Sequence, residues 1–286
     1  MSGLAITIID VGWGDCILLE SWRDSEHRYG LVDCNDSTYF RSGQLFLKRF
    51  FERRRYSFER PNFTFEFVLL THNHADHAKG LSRAIRAFGA RRFLYSNSNP
   101  HALLAQILRY VRRPKARLEC VQPVNSKTDL SSIQFGDVSL DILWPPPGYL
   151  EADENNNSMV LSLTLGEVSF VLTGDATAQV WDQIVHALPW NMRVFQVPHH
   201  GARNGTFAEP TGTTPWLDHV RNKGDVVVCM SSHTRPFEHP NQDVIDALNA
   251  KPIPIRHFRT DRHHHIRCET DGKYVWVSHS HNELFK

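Results

Sequence analysis

The stretch Phe67–Gly80 constrains this chain more than any other, because a cluster of metal-binding side chains directly follows an apolar run. Val68-Leu69-Leu70-Thr71 has the composition of a buried strand, and residues 72–77 read His-Asn-His-Ala-Asp-His. A tight turn after a strand points alternating side chains into one small volume. Imidazoles combined with a carboxylate suit zinc, manganese or iron better than calcium. The alternative is a solvated histidine-rich loop, since the chain has 17 histidines.

The composition indicates a soluble globular protein. Of the 286 residues, 41% are hydrophobic and 22% are charged, and the net charge of +1 provides no global attraction to nucleic acid. The five cysteines are scattered and include no Cys-x-x-Cys pair, which favours a reducing cytosol over a disulfide framework. The N-terminus is typical of a strand and not of a signal peptide, and no apolar run approaches the roughly 20 residues that span a bilayer. We therefore expect a cytoplasmic protein with no membrane partner.

Strand and helix patterns alternate along the first half of the chain. Three strands are expected around a glycine-containing turn, at Leu4–Ile9, Cys16–Glu20 and Tyr29–Val32, and together they predict the edge of a mostly antiparallel sheet. Apolar residues at helical spacing predict an amphipathic helix over Ser42–Glu59. Further helices are expected at Leu81–Phe88 and Ala102–Val111, with a strand at Arg92–Tyr95 between them and another at Val138–Leu143.

The second half supplies further candidate ligands at strand ends. Two apolar runs, Ser158–Leu165 and Glu167–Leu172, predict a hairpin that ends at Thr173-Gly174-Asp175. Asp175 could reach a metal or could cap the next helix, since aspartate is a favoured N-cap residue. The strands expected at Arg193–Val197 and Val226–Met230 precede more histidines. These are His199 and His200 in Pro-His-His-Gly, and His239 ahead of a helix expected at Asn241–Leu248.

Taken together, these motifs resemble the metallo-β-lactamase-fold hydrolases, a family whose signature is His-x-His-x-Asp-His. Ile9-Asp-Val-Gly-Trp-Gly-Asp15 and Pro198-His-His-Gly201 are similar to the ComEC branch of that family, whose members carry such a domain at the end of a DNA-uptake channel. The resemblance extends from Asp10 to about residue 260. It implies one domain over residues 1–286, with the four-layer αββα sandwich of the α+β class and metals at the sheet edge.

The resemblance also implies roles for individual residues. Two divalent cations, Zn²⁺ or Mn²⁺, would be held by six side chains: His72, His74, Asp76, His77, Asp175 and His200. Asp175 would bridge the two metals, and Asp76 would also orient the nucleophile. His199 would face the substrate as a hydrogen-bond donor or general acid, and His239 would bind substrate or metal. Asp33 would support the metal loop, with Asp15 as a further supporting or substrate-contacting residue. Each histidine of the pair at 199–200 could instead be a buried structural residue, His239 could pack at a helix entry, and Asp33 could be a plain turn residue.

Four positions depart from the branch pattern. Trp13 stands where glutamine is usual, and Ala202 stands in place of serine. Many members of the fold place another histidine ligand near Asn157, but His101 is the only histidine between His77 and Asp175 and lies at an expected helix start. We therefore expect water or Asn157 to complete the first metal's ligands. Three histidines at 263–265 replace a glycine-containing turn; they could line the site, although exposure is favoured.

Two basic clusters are candidates for nucleic-acid contact. Arg53, Arg54 and Arg55 fall at the end of the first expected helix, and Arg112 and Arg113 follow the helix at Ala102–Val111. Such arginines can bind phosphates, although positive charge near a helix C-terminus is also typical of a solvated helix.

The sequence therefore predicts a metal-dependent hydrolase. Metal-activated hydroxide would attack the substrate, and two metals about 4 Å apart suit in-line attack on a phosphodiester. The ComEC resemblance favours a phosphodiesterase or nuclease that acts on DNA. The alternatives are hydrolysis of a small ester, lactone or phosphodiester metabolite, and a non-catalytic binding or signalling module that retains metal. Protein partners cannot be named from the sequence.

Overall fold

The computed structural model describes residues 1–36, 41–54, 63–99 and 101–280. The strands in chain order are β1 (Ser2–Ile8), β2 (Ile17–Arg23), β3 (Glu26–Val32), β4 (Phe65–Leu70), β5 (Ala90–Ser96), β6 (Cys120–Val124), β7 (Ser139–Trp144), β8 (Val160–Leu165), β9 (Val168–Leu172), β10 (Met192–Gln196), β11 (Val227–Met230), β12 (His257–Arg259), β13 (His265–Thr270) and β14 (Val275–Ser280). The α-helices are α1 (Ser42–Arg53), α2 (Ala75–Ala78), α3 (Leu81–Phe88), α4 (Ala102–Val111), α5 (Ala178–Ile184), α6 (Arg203–Thr206), α7 (Pro215–Lys223), α8 (Gln242–Asn249) and α9 (Thr260–His263).

The described strands form two sheets. The first has the order β14-β13-β1-β2-β3-β4-β5-β6, antiparallel as far as β3 and parallel from β3 to β6. The second has the order β12-β11-β10-β9-β8-β7, in which β9 to β12 are parallel. The expectation that β1–β3 form a sheet edge is wrong. These strands lie inside the first sheet, because β13 returns from the far end of the chain to pair with β1.

Side-chain alternation explains how the sheets and helices stack. Ile17 and Leu19 of β2 point into the core between the sheets, whereas Leu18 points to the helices on the outer face. Helices α1, α3 and α4 cover the first sheet, and α5, α7 and α8 cover the second. The layers are therefore helix, sheet, sheet, helix, which confirms the αββα sandwich.

Most expected elements are present with shifted ends. The helix expected over Ser42–Glu59 ends at Arg53, and its last expected residues lie outside the described residues. Strands β6 and β12 and helix α7 were not predicted. The strand β6 contains Pro123 and is an edge strand, so its apolar alternation is weak and proline is tolerated there. In the part of the chain that the structure describes, no helix has the length and apolar character needed to cross a bilayer.

Candidate metal centre

The candidate metal centre lies where strands of the two sheets end. Strand β4 ends at Leu70, and the loop that follows carries His72 and His74 and leads into the short helix α2. From the second sheet, β9 is followed by Asp175 and β10 by His200. The structure thus brings together all six side chains expected to bind metal, although they come from three separate parts of the chain.

Asp175 occupies the middle of the group. Its Oδ2 lies 3.5 Å from His72 Nε2 and 3.2 Å from His77 Nε2, and its Oδ1 lies 3.4 Å from His200 Nε2. Two overlapping sets of ligand atoms result, each within 4.8 Å of one another. One set is Asp76, His77, Asp175 and His200; the other is His72, His74 and Asp175.

Hydrogen bonds fix which ring nitrogen of each histidine faces this centre. His77 Nδ1 donates to Asp33 Oδ2 (2.7 Å), and His200 Nδ1 donates to the carbonyl oxygen of Ser231 (3.0 Å). The Nε2 atoms of both rings therefore point toward each other and lie 3.3 Å apart. His72 Nε2 and His74 Nδ1 lie 3.0 Å apart in the same cluster. Such partners on the opposite ring nitrogen are typical of metal-binding histidines.

Asp33 supports the metal loop in the way the resemblance implies. Its Oδ2 also accepts a hydrogen bond from Thr71 Oγ1 (2.6 Å), and its Oδ1 accepts one from the Thr71 backbone N–H (2.8 Å). Thr71 Oγ1 in turn accepts from His72 Nδ1 at 3.1 Å, so one buried carboxylate orients two histidine rings.

Asp15 lies behind the histidines and does not face the cavity. Its Oδ2 accepts from Gln196 Nε2 (2.7 Å), and its Oδ1 lies 3.7 Å from His200 Nδ1. Gln196 and Ser231 are supporting residues that were missed in the sequence. A glutamine at the end of β10, between the apolar residues Phe195 and Val197, was the available signal for the first of them.

The loop at residues 10–15 approaches the metal loop closely at Gly14. This residue has φ +94°, and a Cβ added there would lie 2.2 Å from the carbonyl oxygen of Asp76. The same carbonyl accepts a hydrogen bond from the Asp15 backbone N–H (3.2 Å). Glycine is required here because both the backbone conformation and the close contact exclude a side chain.

The pair at residues 199–200 has an unusual backbone. Both histidines adopt left-handed conformations, with φ +50° for His199 and +55° for His200. Such a conformation costs about 1 kcal/mol or more for a residue other than glycine. A left-handed turn, and not an extended backbone, therefore separates the two rings. The turn sends His200 into the ligand cluster, and it places His199 Nε2 3.9 Å from Asp175 Oδ2 at the cavity wall.

The charges of the centre balance one another. Burial alone would lower the pKa of His77 and His200, but neighbouring carboxylates, chiefly Asp175, raise both, that of His200 to about 9. Burial alone would raise the pKa of Asp76 and Asp175, and the histidines, His77 above all, lower both. These carboxylates therefore require a positive charge beside them, which protons or a metal cation can supply.

The residues present fit a divalent metal. Asp175 Oδ1 is buried and has no hydrogen-bond partner, although buried carboxylate oxygens normally have one. Nitrogen and carboxylate donors in this combination suit zinc or manganese. With Asp175 counted in both sets, the cluster provides four candidate ligands on one side and three on the other.

Asn157 does not complete the smaller set of ligands. Its Oδ1 accepts from the Glu151 backbone N–H (2.8 Å), and its Nδ2 donates to the Glu151 carbonyl oxygen and to Glu154 Oε2, both at 3.0 Å. Both ends of the amide are thus occupied by the loop at residues 151–154, and the expectation of a ligand there is wrong. Asn157 instead anchors Glu154, whose other oxygen accepts from the Asn73 backbone in the metal loop.

An open cavity of about 370 Å³ leads to the centre. His74, Asp76, Asp175, His199, His200 and His239 line it together with Ala75, Trp13 and Phe237. The rings of Trp13 and Phe237 lie 4.7 Å apart at its wall. The His239 ring lies 5.8 Å from that of His199, and its pKa is lowered to about 4, first by burial and then by the two neighbouring histidines. His239 is therefore neutral near pH 7 and faces the substrate space.

The histidines at 263–265 are not exposed as expected. All three are half-buried, and His265 Nδ1 accepts a hydrogen bond from the Asp10 backbone N–H (3.0 Å), while His264 Nδ1 lies 3.4 Å from Asp10 Oδ2. His264 and His265 thus hold the start of the loop at residues 10–15, whereas His263 Nδ1 lies 3.0 Å from the Arg259 backbone, and none of the three lines the cavity.

The arginines proposed for nucleic-acid contact lie away from the centre. Helix α1 begins beside Val11, in the loop at residues 10–15, and its 12 residues span about 18 Å. Arg53, its last residue, and Arg54 just beyond it therefore lie at the end of the helix that is far from the centre. Arg54 is also engaged, since its Nη2 lies 3.3 Å from Glu20 and its guanidinium covers the Phe50 ring. Arg112 and Arg113 are exposed beyond the far end of α4, and Arg55 lies outside the described residues.

Sequence comparisons give two relatives of much greater length. ComE operon protein 3 of Bacillus subtilis is 26% identical over 132 residues, which is 46% of this chain. Recombination protein 2 of Haemophilus influenzae is 27% identical over 191 residues, or 67% of this chain. The matched regions span only 16% and 21% of the two relatives.

Comparisons of structure give neighbours with the same fold. They include the metallo-β-lactamase fold protein YhfI from Bacillus subtilis (TM-score 0.50, 11% identity, 96% of this chain and 100% of that one). Unliganded yeast PDE1 matches with a TM-score of 0.55 and 11% identity over 91% of this chain and 97% of its own. At these identities the likeness concerns the fold alone. The family model of the metallo-beta-lactamase superfamily matches residues 36–211, which is more than half of the sequence. The chain therefore belongs to the metallo-beta-lactamase superfamily of hydrolases.

Proposed function

We propose that this chain is a metal-dependent phosphodiesterase and that its substrate is a nucleic acid, with DNA as the leading candidate. The observation that carries the proposal is the position of Asp175 between two sets of ligand atoms at the base of an open cavity. A pair of cations bridged in this way suits displacement at phosphorus, where negative charge develops on several oxygens. The name of one sequence relative, Recombination protein 2, supports a nucleic-acid substrate.

The protein's own residues divide into three roles in this proposal. Two divalent cations, Zn²⁺ or Mn²⁺, would be held by His72 and His74 on one side, by Asp76, His77 and His200 on the other, and by Asp175 between them. When bound, such cations supply an acidic water molecule and stabilise charge on phosphoryl oxygens. His199 and His239 lie at the cavity wall, where neutral imidazole N–H groups can donate hydrogen bonds to a phosphate.

The cavity wall favours a substrate that carries a planar group beside the reacting phosphate. Trp13 and Phe237 present aromatic surface within the same cavity as Asp76 and Asp175. A nucleobase stacked on such a surface gains about 1–3 kcal/mol. A small lactone or ester is the alternative substrate for this site, since it would also fit the cavity, but it would leave the histidines without an anionic partner.

The decisive experiment is an activity screen with metal-supplemented protein. We expect Mn²⁺- or Zn²⁺-dependent hydrolysis of bis(p-nitrophenyl) phosphate and of single-stranded DNA, tested beside double-stranded DNA, RNA and a γ-lactone. Asp76→Asn should reduce the rate about 10²-fold or more, a loss typical for a group that positions the reacting water. Asp141→Asn, at an exposed position of β7, is the matched control. Hydrolysis of the lactone alone, or an Asp76→Asn variant with unchanged activity, would overturn the proposal.

A further inference from the structure

The outer face formed by α3 and α4 has a strong local positive charge. Residues 77–118 contain no aspartate or glutamate, although the whole chain has a net charge of only +1. They contain ten lysines and arginines, which are Lys79, Arg83, Arg86, Arg91, Arg92, Arg109, Arg112, Arg113, Lys115 and Arg117. This asymmetry creates a local positive potential that the overall composition conceals.

Some of these cations are engaged by neighbouring carboxylates. Arg91 Nε lies 3.1 Å from Glu66, Arg91 Nη1 lies 2.7 Å from Glu119, and Arg83 lies 3.9 Å from Asp36. By contrast, among the residues that the structure describes, Arg86, Arg109 and Arg113 form no ion pair with a carboxylate, and all three are exposed. Their charge is therefore available to a ligand.

A groove of about 240 Å³ runs between the two helices. Its walls are Ser82 and Arg86 of α3, Gln106, Arg109 and Tyr110 of α4, and Arg113 just beyond. The Arg86 guanidinium lies 5.2 Å from the centre of the Tyr110 ring. Two hydrogen-bonding groups, three guanidinium groups and one aromatic ring thus line a single groove.

The topology connects this groove with the metal centre. Parallel strands β4 and β5 both end at the edge that carries the metal loop, since Leu70 pairs with Tyr95. Helices α3 and α4 each begin shortly after that edge and run back across the sheet, and α4 packs against α2, which carries Asp76 and His77. A ligand lying in the groove therefore points toward the metal centre.

We infer that the groove lined by Arg86, Arg109, Tyr110 and Arg113 binds the backbone of a single nucleic-acid strand that leads into the metal centre. The inference rests on the proposed function, which it deepens by assigning a binding site outside the cavity. Guanidinium groups bind phosphates with two parallel hydrogen bonds, and a tyrosine ring can stack on a base. An acidic protein segment would use the charges but would leave the aromatic ring and the neutral donors without a role.

The test uses a variant in which Arg86, Arg109 and Arg113 are all replaced by glutamine. Binding of a fluorescent, non-cleavable phosphorothioate oligonucleotide to the metal-loaded protein is measured by anisotropy at several salt concentrations. We expect the slope of log K against log salt to fall by about 2, since each single-strand phosphate contact contributes about 0.7. In the control variant, Arg23, Lys251 and Arg256 are replaced by glutamine, so the same amount of positive charge is removed at other exposed positions. The control should leave the slope within experimental error of wild type.

A second readout separates this inference from the proposed function. Hydrolysis of bis(p-nitrophenyl) phosphate should be the same in the groove variant and in wild type, because so small a substrate cannot reach the groove. If no variant and no wild-type protein hydrolyses it, the proposed function fails, whereas the salt slope still tests the groove. An unchanged salt slope in the groove variant would overturn the inference. So would competition by polyglutamate that equals competition by unlabelled oligonucleotide at the same charge concentration.

Discussion

The Nδ1 atom of His77 lies 2.7 Å from Oδ2 of Asp33, and both side chains are fully buried. This hydrogen bond sets the orientation of the ring and directs Nε2 toward Asp175. Because the same carboxylate also holds Thr71, the metal loop and the end of β3 are positioned together.

Replacement of Asp33 by asparagine should weaken metal binding without unfolding the protein. Asparagine has one acceptor oxygen in place of two, so its NH2 group must face either the Thr71 backbone N–H or His77 Nδ1, and the negative charge beside His77 is lost. Either change weakens the hold on the His77 ring. Loss of such a partner typically reduces metal affinity about 10- to 100-fold. The measurement is a competition titration with a chromophoric zinc chelator, with exposed Asp129→Asn as the control. Wild-type zinc affinity in Asp33→Asn would show that the loop alone orients the ring.

His239 should contribute to turnover and not to metal content. It lines the cavity but is not among the side chains whose ligand atoms cluster around Asp175. We expect His239→Ala to reduce kcat about 10²-fold, as for loss of a group that exchanges a proton or hydrogen bond with the substrate. Metal analysis of the same sample should give the wild-type stoichiometry. A fall in bound metal would instead identify His239 as a ligand.

Trp13 should determine preference for substrates with a planar group. Trp13→Gln removes the ring that faces Phe237. For thymidine 5′-(p-nitrophenyl phosphate) we expect kcat/KM to fall about tenfold, which corresponds to loss of about 1.4 kcal/mol of stacking. For methyl p-nitrophenyl phosphate little change is expected. Trp190→Ala, at a residue that is 82% exposed, controls for general effects of removing a tryptophan. Equal losses for both substrates would contradict a stacking role.

The fold should depend on Glu20, a buried carboxylate beside two arginines and a histidine. Its oxygens lie 2.9 Å from Arg267, 3.3 Å from Arg54 and 3.0 Å from His27. Loss of one member of a buried ion pair costs about 3–5 kcal/mol. Since Glu269 also lies 3.0 Å from Arg267, we expect Glu20→Gln to lower the free energy of unfolding by about 3 kcal/mol, measured in urea. An exposed Glu167→Gln variant should be within error of wild type.

The same network predicts a loss of stability in acid. Burial raises the pKa of Glu20, but His27, Arg267 and Arg54 outweigh burial and lower it. A carboxyl with a lowered pKa in the folded state contributes stability that is fully present above its unfolded pKa, about 4.3, and is lost as the pH falls through the folded value. The difference in unfolding free energy between wild type and Glu20→Gln should therefore shrink below about pH 4. A difference independent of pH would exclude a charge effect.

Much of this site could be predicted because its ligands follow strands within short, dense motifs. Residues 72–77 place four candidate metal ligands after one strand, and Asp175 and His200 follow the strands β9 and β10. The αββα order could be predicted from the resemblance that these motifs carry. The sequence pattern of β1 does not identify β13 as its partner strand. The two strands are more than 250 residues apart, and such a pairing leaves no local signal in the sequence.

The errors arose where local patterns do not report tertiary contacts. Asn157 is adjacent in sequence to the expected ligand position, yet its amide is occupied by Glu151 and Glu154. The histidines at 263–265 are polar, but the contacts of His264 and His265 with Asp10 form only because β13 lies beside β1. The basic clusters were chosen by composition alone, which does not show that Arg113 lies beside Arg86 of α3 or that Arg54 pairs with Glu20.

The contacts around Gly14 have a consequence for how the active state is acquired. This loop touches the Asp76 carbonyl oxygen from the first sheet, and its own carbonyl accepts a hydrogen bond from Ser231, which follows β11 of the second (2.6 Å). Contacts between residues so far apart in sequence form late, since closing long loops is entropically costly. The arrangement of side chains at the centre is therefore complete only after the two sheets have packed together. During refolding, hydrolytic activity should return later than most of the secondary structure, because activity requires both sheets to be packed together.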